Sequence, residues 1–281
     1  MKIRIMTDST CDLDQAYLQE HQVTVIPLTV NMDGKSYTDD GVSIHPDAIF
    51  QAVAAGSSLP KTSAINVEDY RTAFTEALKT CDAIVHFAIS AEFSSCHANA
   101  VLASEGLPVY CVDSRNLSGG IGLLVAEAVE MAEAGCEDAR LIAEHCISMV
   151  DKVDCSFIIN RLDYLYKGGR CSMVAMLGAN ALRLKPCIEV VNGSMIVGRK
   201  FRGNYDRCVK QYVEDRLHDP GTVNPKRILI VHTGLSAEQV AMIRDTVNAH
   251  VMFDDVRELR AGSTISCHCG ENTIGVLFMR K

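Results

Sequence analysis

The sequence lacks the features that would point to a membrane or to nucleic acid. None of its apolar runs is long enough to cross a bilayer. Its first residues turn polar at Asp8, Ser9 and Thr10, without the hydrophobic core or cleavage site of a signal peptide. Acidic residues outnumber basic ones by 35 to 27, and a net charge of -8 opposes broad binding to nucleic acid or to an anionic membrane surface. We therefore expect a cytoplasmic protein with no nucleic-acid partner and no integral membrane segment.

Signatures of common enzymes and metal sites are also missing. There is no G-x-S-x-G motif, and His97 lies only two or three positions from Ser94 and Ser95 on one predicted helix, which is poor geometry for a general base. Cys267 and Cys269 form a lone C-x-C pair, without the second pair of ligands that a structural zinc site needs. We expect no metal and no cofactor. A metal- or redox-sensing role for these two cysteines stays open.

The composition favours an intracellular protein with a large hydrophobic core. Hydrophobic residues make up 48% of the 281 positions, enough to bury a substantial interior. The twelve cysteines are scattered, without the spacing of a small disulfide scaffold. In a long chain without a secretion signal, such cysteines are reduced and packed as small apolar residues.

The order of apolar segments predicts two α/β domains. In the first half, short apolar strands alternate with helical patterns, which indicates a parallel sheet covered on both faces. The second half mixes parallel and antiparallel signals, including a hairpin turn at Asn192-Gly193. We predict an N-terminal three-layer α/β/α domain over 1–152, with a parallel sheet. A C-terminal two-layer α/β domain with a mixed sheet would follow over 153–281.

Hydroxyl side chains recur where predicted strands end or helices begin. Thr62 and Ser63 precede one helix, Ser90 ends a strand, and Ser94 and Ser95 open the next helix. Ligands of an open parallel sheet bind beyond the carboxyl ends of its strands, where helix N-termini favour an anion. Each residue alone is equally typical of a cap or turn. Together they indicate a site for a carboxylate or phosphate.

Two arginines each follow a segment that predicts a change in chain direction. Gly168 and Gly169 are typical of a helix stop and let the backbone bend sharply. Arg170 comes next, with no acidic neighbour, and we expect it at the start of a second helical piece near Ser172. Arg202 lies just after the predicted hairpin. Planar guanidinium groups suit carboxylate or phosphate oxygens, so we expect these arginines to flank an anion.

The segment Cys267–Gly270 contains a histidine that we expect in the same site. We expect a strand to end here, with Gly270 turning the chain and His268 pointing into a site.

Six segments together resemble a known family across the whole chain. In order and spacing, MTDSTCDL, KTSAIN, ISAEFSS, LDYLYKGGRCS, GRKFRG and SCHCGENTIGVLF resemble the DegV family of bacterial fatty-acid-binding proteins. That family includes the lipid-carrying subunit of fatty acid kinase.

The resemblance implies that one long-chain fatty acid is buried between two α/β domains. Thr62 and Ser94 would hydrogen-bond its carboxylate, His268 would lie beside it, and Arg170 and Arg202 would stand at the mouth. A separate ATP-dependent kinase subunit would phosphorylate the acid, and this chain would present it without catalysis of its own. The full predicted ligand-binding set is Thr62, Ser63, Ser90, Ser94, Ser95, Gly169, Arg170, Arg202 and His268.

An enzyme is the alternative interpretation. It would act on a small phosphorylated or carboxylated substrate in the same crevice, with His268 and Asp8 as acid and base. Cavity shape discriminates the two, because a carrier needs a long apolar tunnel and such an enzyme a short polar pocket.

Overall fold

The computed structural model describes residues 1–171 and 184–281, and the predicted helical piece near Ser172 lies outside them. No helix of these two ranges is long and apolar enough to cross a membrane. The strands are β1 (Ile3–Asp8), β2 (Thr24–Ile26), β3 (Thr29–Met32), β4 (Lys35–Thr38), β5 (Lys61–Ser63), β6 (Ala83–Ala88), β7 (Val109–Asp113), β8 (Val153–Asp154), β9 (Ser156–Ile158), β10 (Leu184–Val191), β11 (Ser194–Arg202), β12 (Val223–His232), β13 (Asp255–Arg260) and β14 (Ile274–Arg280). The helices are α1 (Gln15–Glu20), α2 (Pro46–Ala54), α3 (Val67–Ala77), α4 (Cys96–Ser104), α5 (Gly119–Glu133), α6 (Ala139–Met149), α7 (Leu162–Gly168), α8 (Tyr205–Arg216), α9 (Ala237–His250) and α10 (Ser263–Cys269).

The N-terminal sheet is parallel, as predicted, with the strand order β2-β1-β6-β7. Helices α3 and α4 pack against each other, as do α5 and α6, and both pairs contact the sheet. Every residue of β6 is buried, because a central parallel strand is covered on both faces. Helix α3 begins where its sequence predicts, since the Asn66 side chain accepts the N–H of Asp69. The three-layer α/β/α arrangement is confirmed.

A small antiparallel sheet, in the order β4-β3-β5, extends the N-terminal half. Asp33 and Gly34 both have positive φ and form the tight turn between β3 and β4, as their sequence predicts. Strand β5 then pairs with β3 and places Thr62 opposite Val30. This sheet carries one wall of the site described below.

The C-terminal sheet is mixed, in the order β11-β10-β9-β14-β12-β13, with β8 beside β14. Strands β12 and β13 are parallel, and the other pairs are antiparallel. Asn192 and Gly193 have positive φ at the turn between β10 and β11, which confirms the predicted hairpin. Helices α8 and α9 pack together against this sheet over a hydrophobic cluster that includes Tyr212 and Ile243. The predicted two-layer C-terminal arrangement is confirmed.

Helix α5 joins the two halves. It contacts β1 and β6 of the N-terminal sheet and β12 and β14 of the C-terminal sheet. One hydrophobic cluster therefore includes Leu124 of α5 together with Leu229 and Leu277 of the C-terminal sheet. At the edge of this interface, an Nη of Arg227 lies 2.9 Å from a carboxylate oxygen of Glu130. The boundary between residues 152 and 153 stays a prediction.

Candidate functional site

A cavity of about 240 Å³ lies between β5, the segment that leads into α4, and α10. We call it the outer cavity. Its lining combines hydroxyl groups, one imidazole and one guanidinium with apolar side chains. The lining residues are Leu28, Thr62, Ala64, Ile89, Phe93, Ser94, Ser95, Leu117, Arg170, Met195, Thr264, Ile265, His268 and Cys269. Five of the predicted ligand-binding residues thus meet at one cavity: Thr62, Ser94, Ser95, Arg170 and His268.

Thr62 and His268 are in direct contact across this cavity. The Oγ1 of Thr62 lies 2.8 Å from Nε2 of His268. Side chains alternate along β5, so Thr62 turns inward while Ser63 is exposed. On the other side of the ring, a Cβ added to Gly168 would lie 2.5 Å from Nδ1 of His268. The absence of a side chain at Gly168 is therefore what lets α7 pack against the imidazole.

His268 is neutral at physiological pH. Burial, with a smaller contribution from the charge of Arg170, lowers the pKa of His268 to about 4. Its Nδ1 has no hydrogen-bond partner among residues 1–171 and 184–281. Because buried unpaired N–H groups are rare, we place the proton on Nε2, from which it is donated to Thr62. The Thr62 hydroxyl then keeps its own proton free to donate into the outer cavity.

Ser94 and Ser95 lie at the start of α4, on the opposite wall. The Oγ of Ser94 lies 3.1 Å from Sγ of Cys96 and accepts the Cys96 backbone N–H at 3.3 Å. The Oγ of Ser95 accepts a weak bond from the Asn99 side chain at 3.4 Å. These hydroxyls sit at the positive end of α4, where an anion is favoured. Ser94 thus accepts an N–H of the first turn of α4, whereas the Ser95 side chain makes no capping bond, and both residues line the cavity.

Arg170 stands at the mouth of the outer cavity. It is exposed, and an Nη donates to the carbonyl oxygen of Gly168 at 2.6 Å. No carboxylate in the described ranges forms an ion pair with it. Gly169, at φ +69°, ends α7 in the left-handed region and so reverses the chain into Arg170. The guanidinium is therefore available to an anion entering from solvent.

A second, small cavity adjoins the first and is lined by residues of both halves. This inner cavity has a volume of about 20 Å³ and shares Leu117, Ile265 and Cys269 with the outer one. Its lining residues are Leu117, Ser118, Cys155, Ser156, Phe157, Val231, Thr233, Ala261, Ile265, Cys269, Thr273, Gly275 and Leu277.

The hydroxyls of the inner cavity are all engaged elsewhere. Ser118 donates to Asp12, Thr233 to the carbonyl of Gly270, and Thr273 to the carbonyl of Cys269. Ser156 is hydrogen-bonded to the hydroxyl of Tyr212. The inner cavity therefore presents hydrocarbon to its contents, whereas the outer cavity also presents hydroxyl, imidazole and guanidinium groups.

The sequence matches one protein family over nearly its whole length. The family model that matches residues 2–281 is described as "Uncharacterised protein, DegV family". The chain belongs to the DegV family.

Relatives with assigned ligands cover the DegV chain from end to end. A fatty acid-binding protein of Thermotoga maritima is 29% identical over 98% of this chain and 96% of its own. A DegV family protein of Thermus thermophilus, whose solved structure is described by its fatty acid binding, superimposes with a TM-score of 0.91 at 28% identity over 100% of both chains. A stearic acid-binding protein of Eubacterium ventriosum gives a TM-score of 0.85 at 25% identity, over 99% of this chain and 98% of its own.

Four predicted ligand-binding residues do not line either cavity of this DegV chain. Ser63 faces away and bonds to Asn31. Ser90 is buried and donates to the carbonyl of Gly193 at the β10–β11 turn, so it connects the two halves. Gly169 acts through the backbone turn, and Arg202 is exposed at the end of β11. A ligand role for these four residues stays a prediction.

The expectation that a strand ends at Cys267–Gly270 is wrong. Cys267, His268 and Cys269 form the last turn of α10, and Gly270, at φ +74°, turns the chain after it. The helix forms although it has only seven residues, because a distant carboxylate accepts its first N–H groups. Asp39 accepts the backbone N–H of Ser263 and of Thr264.

The two cysteines of α10 are buried thiols in their neutral form. Burial raises the pKa of the Cys269 thiol to about 12 and that of Cys267 further, so both stay protonated. In residues 1–171 and 184–281, no group of three His, Cys, Asp or Glu side chains is placed to hold a metal ion.

The acid–base pair of the alternative interpretation does not meet at the cavity. Asp8 is buried beneath it, where one carboxylate oxygen accepts the hydroxyl of Tyr70 and lies 3.2 Å from Nε2 of His86. His268 lines the outer cavity and Asp8 does not.

Sequence reasoning missed Thr264, a buried threonine in the wall of the outer cavity. It also missed the apolar residues Leu28 and Met195, which come from distant segments. A helical periodicity for Ser263–Cys269 would have placed Thr264 and His268 on one face, but seven residues are too few to show a period.

Proposed function

We propose that this protein binds a long-chain fatty acid, with the carboxylate in the outer cavity and the acyl tail in the inner one. The observation that carries the proposal is that the two cavities adjoin each other, with Leu117, Ile265 and Cys269 in the walls of both. A cavity with hydroxyl, imidazole and guanidinium groups among apolar side chains, beside a second cavity lined by hydrocarbon, fits an amphipathic ligand with one charged end. The fatty acids assigned to the Thermotoga maritima and Thermus thermophilus relatives support the same ligand class.

Affinity would come from the tail. Each methylene removed from water contributes about 0.8 kcal/mol, so about fourteen give on the order of 11 kcal/mol before ordering costs. The inner cavity holds about 20 Å³, which is room for about one water molecule. The tail therefore enters only as side chains such as Leu277 and Phe157 move apart, and the protein should become more rigid once it is loaded.

Orientation would come from the head-group donors. Thr62, Ser94 and Ser95 offer neutral hydroxyls, and the neutral His268 fixes Thr62 as a donor. Arg170 adds one positive charge at the mouth. A carboxylate there is held by directed hydrogen bonds and one nearby cation, which suits a site in a protein of net charge -8.

The finer proposal is that the chain is a carrier without catalysis, which presents the carboxylate to an ATP-dependent kinase subunit in the cytoplasm. Arg170 is exposed beside the head-group site and Arg202 is exposed on β11, so both are available to a partner. Eleven cysteines of the described ranges are free thiols, as expected in a reducing compartment.

Calorimetric titration of delipidated protein tests the binding proposal. We expect palmitic acid to bind with equimolar stoichiometry and its methyl ester, which lacks the charge, to bind more weakly. Equal binding of a short-chain acid such as butyric acid would instead indicate a small polar site and the enzyme alternative.

The carrier proposal is tested separately with a fatty acid kinase subunit and ATP. Arg170→Ala and Arg202→Ala should reduce acyl-phosphate formation more than they reduce palmitic acid binding. Equal losses in both assays would remove the docking role.

A further inference from the structure

Cys96 lies directly behind one of the hydroxyl groups in the wall of the outer cavity. It is the first residue of α4, is fully buried, and belongs to the same hydrophobic cluster as Ile89 and Phe93 of that wall. It contacts Ser94 twice. Its backbone N–H donates to the Ser94 Oγ at 3.3 Å, and its Sγ lies 3.1 Å from the same oxygen. Cys96 therefore supports Ser94 from the protein side, opposite the space for a ligand.

The residues beneath Cys96 set the direction of the hydrogen bond between its sulfur and Ser94. Asp8 is fully buried, and its two carboxylate oxygens accept the Tyr70 hydroxyl at 2.6 Å and the backbone N–H of Ile89 at 3.2 Å. Because the Tyr70 proton is donated to Asp8, the Tyr70 oxygen can only accept a bond from the neighbouring Cys96 thiol. Burial, with a smaller contribution from the charge of Asp8, raises the pKa of this thiol, so it keeps its proton. The sulfur is left to accept the hydroxyl of Ser94.

Sulfur is a weak hydrogen-bond acceptor, so it satisfies the Ser94 hydroxyl without holding it tightly. A carboxylate is a much stronger acceptor, because hydrogen bonds to charged groups are about twice as strong as neutral ones. The Ser94 hydroxyl can therefore turn from Cys96 to a ligand carboxylate at little cost. The Ser94 oxygen stays in place during this turn, since it still accepts the backbone N–H of Cys96.

We propose that Cys96 is a positioning residue of the head-group site, which holds Ser94 in place and gives up its hydroxyl to the ligand carboxylate. This inference rests on the proposed function, because it requires the carboxylate to lie within reach of Ser94. It depends on the sulfur atom itself. A hydroxyl oxygen at the same position would accept the Ser94 hydroxyl more strongly and would compete with the ligand.

The test is a double-mutant cycle on the full delipidated chain, measured by calorimetric titration with palmitic acid. The four proteins are the wild type, Cys96→Ser, Ser94→Ala and the double variant. Cys96→Ser should weaken binding about three- to tenfold, the size of one neutral hydrogen bond. Ser94→Ala should also weaken binding, and in its background Cys96→Ser should have no further effect. A residue that only packs against α4 would cause the same loss in both backgrounds.

Two further variants separate this role from packing. Cys96→Ala leaves no competing acceptor, so it should bind palmitic acid more tightly than Cys96→Ser, although it removes more volume from the core. Cys146→Ser makes the same change at a fully buried cysteine of α6 that lines neither cavity, and it should leave the affinity unchanged. Circular dichroism and urea denaturation check that the variants are folded. If Cys96→Ala does not fold, the double-mutant cycle still decides.

Three results would overturn the inference and leave the proposed function standing. The first is an additive cycle, with the same loss from Cys96→Ser whether or not Ser94 is present. The second is unchanged affinity in Cys96→Ser or in Ser94→Ala. The third is weaker binding by Cys96→Ala than by Cys96→Ser, which would assign a packing role to the sulfur. Failure of the wild-type protein to bind palmitic acid would instead contradict the proposed function.

Discussion

The Oγ1 of Thr62 and the Nε2 of His268 lie 2.8 Å apart, although 206 positions separate them in the sequence. Thr62 belongs to the antiparallel sheet of the N-terminal half, and His268 belongs to α10 near the C-terminus. The head-group site therefore exists only while the two halves are docked. Changes that weaken the contact between the two halves should therefore weaken palmitic acid binding.

Thr62→Val should weaken palmitic acid binding about ten- to a hundredfold, since it removes one donor to a charged group and leaves Nε2 of His268 unpaired. Ser63→Ala is the matched control, because Ser63 lies next in β5 with its side chain on the opposite face. It should leave the affinity unchanged. Titration calorimetry of both variants decides, and a loss of similar size in Ser63→Ala would show that β5 is not oriented as described.

Gly168→Ala should destabilise the protein, although alanine is usually the better residue in a helix by about 1 kcal/mol. The new Cβ would lie 2.5 Å from Nδ1 of His268, so the ring must move, at a cost of about 1–3 kcal/mol. Because the displaced imidazole no longer positions Thr62, the affinity for palmitic acid should also fall. Urea denaturation and titration measure the two effects.

Gly169→Ala is the control for that variant. Gly169 has φ +69° and open space around its Cα, so alanine there costs about 1 kcal/mol of backbone strain without touching His268. Its stability should fall while its affinity for palmitic acid is retained. Identical affinity losses in both glycine variants would contradict the contact between α7 and the imidazole.

His268 should make the protein less stable in mild acid. Its pKa is lowered from 6.5 to about 4, so between these values the unfolded chain binds a proton that the folded protein does not. The free energy of unfolding should therefore fall as the pH drops through this window, by roughly 3 kcal/mol at most. Urea denaturation at a series of pH values should show this fall in the wild type and a smaller one in His268→Gln. If stability falls equally with pH in the two proteins, the lowered pKa of His268 is contradicted.

Asp12 should act with the opposite sign over much of the same window. Burial raises the pKa of Asp12 from 3.8 to about 7, so here the folded protein binds the proton first. This carboxyl stabilises the fold at low pH and loses that contribution as the pH rises toward 7. In Asp12→Asn, the decrease in stability with rising pH should therefore be reduced. A steeper decrease in the variant would show that the carboxylate is favoured in the folded state.

Ala261→Leu should shorten the acyl chain that the protein accepts. Ala261 lines the inner cavity and is remote from the head-group donors. In the wild type each added methylene should raise the affinity about fourfold until the tail reaches the end of the cavity. In the variant this gain should stop at a shorter chain, with short acids bound normally. A uniform loss for all chain lengths would place the tail elsewhere.

The sequence predicts those parts of the fold whose causes are local. The turns at Asp33-Gly34 and Asn192-Gly193 form as expected, since these residue pairs tolerate positive φ. Helix α9 begins at Ser236, whose capping box with Gln239 is visible as a four-residue pattern. The parallel and mixed sheets follow from the alternation of strands and helices.

The parts that sequence reasoning missed depend on distant contacts. Helix α10 exists because Asp39, 224 positions before Ser263, accepts its first N–H groups. Thr62 and Ser63 look equivalent in sequence and are separated only by the alternation of β5. Thr264 carries no local signal, because its place in the cavity wall becomes apparent only when the distant segments around it are assembled.

The most direct test of the central claim is to denature the protein, purified from its own host, extract it with organic solvent, and quantify the released lipid by mass spectrometry. The account predicts close to one long-chain fatty acid per protein chain, with less recovered from Thr62→Val than from Ser63→Ala. A protein that yields no long-chain acid, and that takes up none when delipidated material is incubated with palmitic acid, would contradict it.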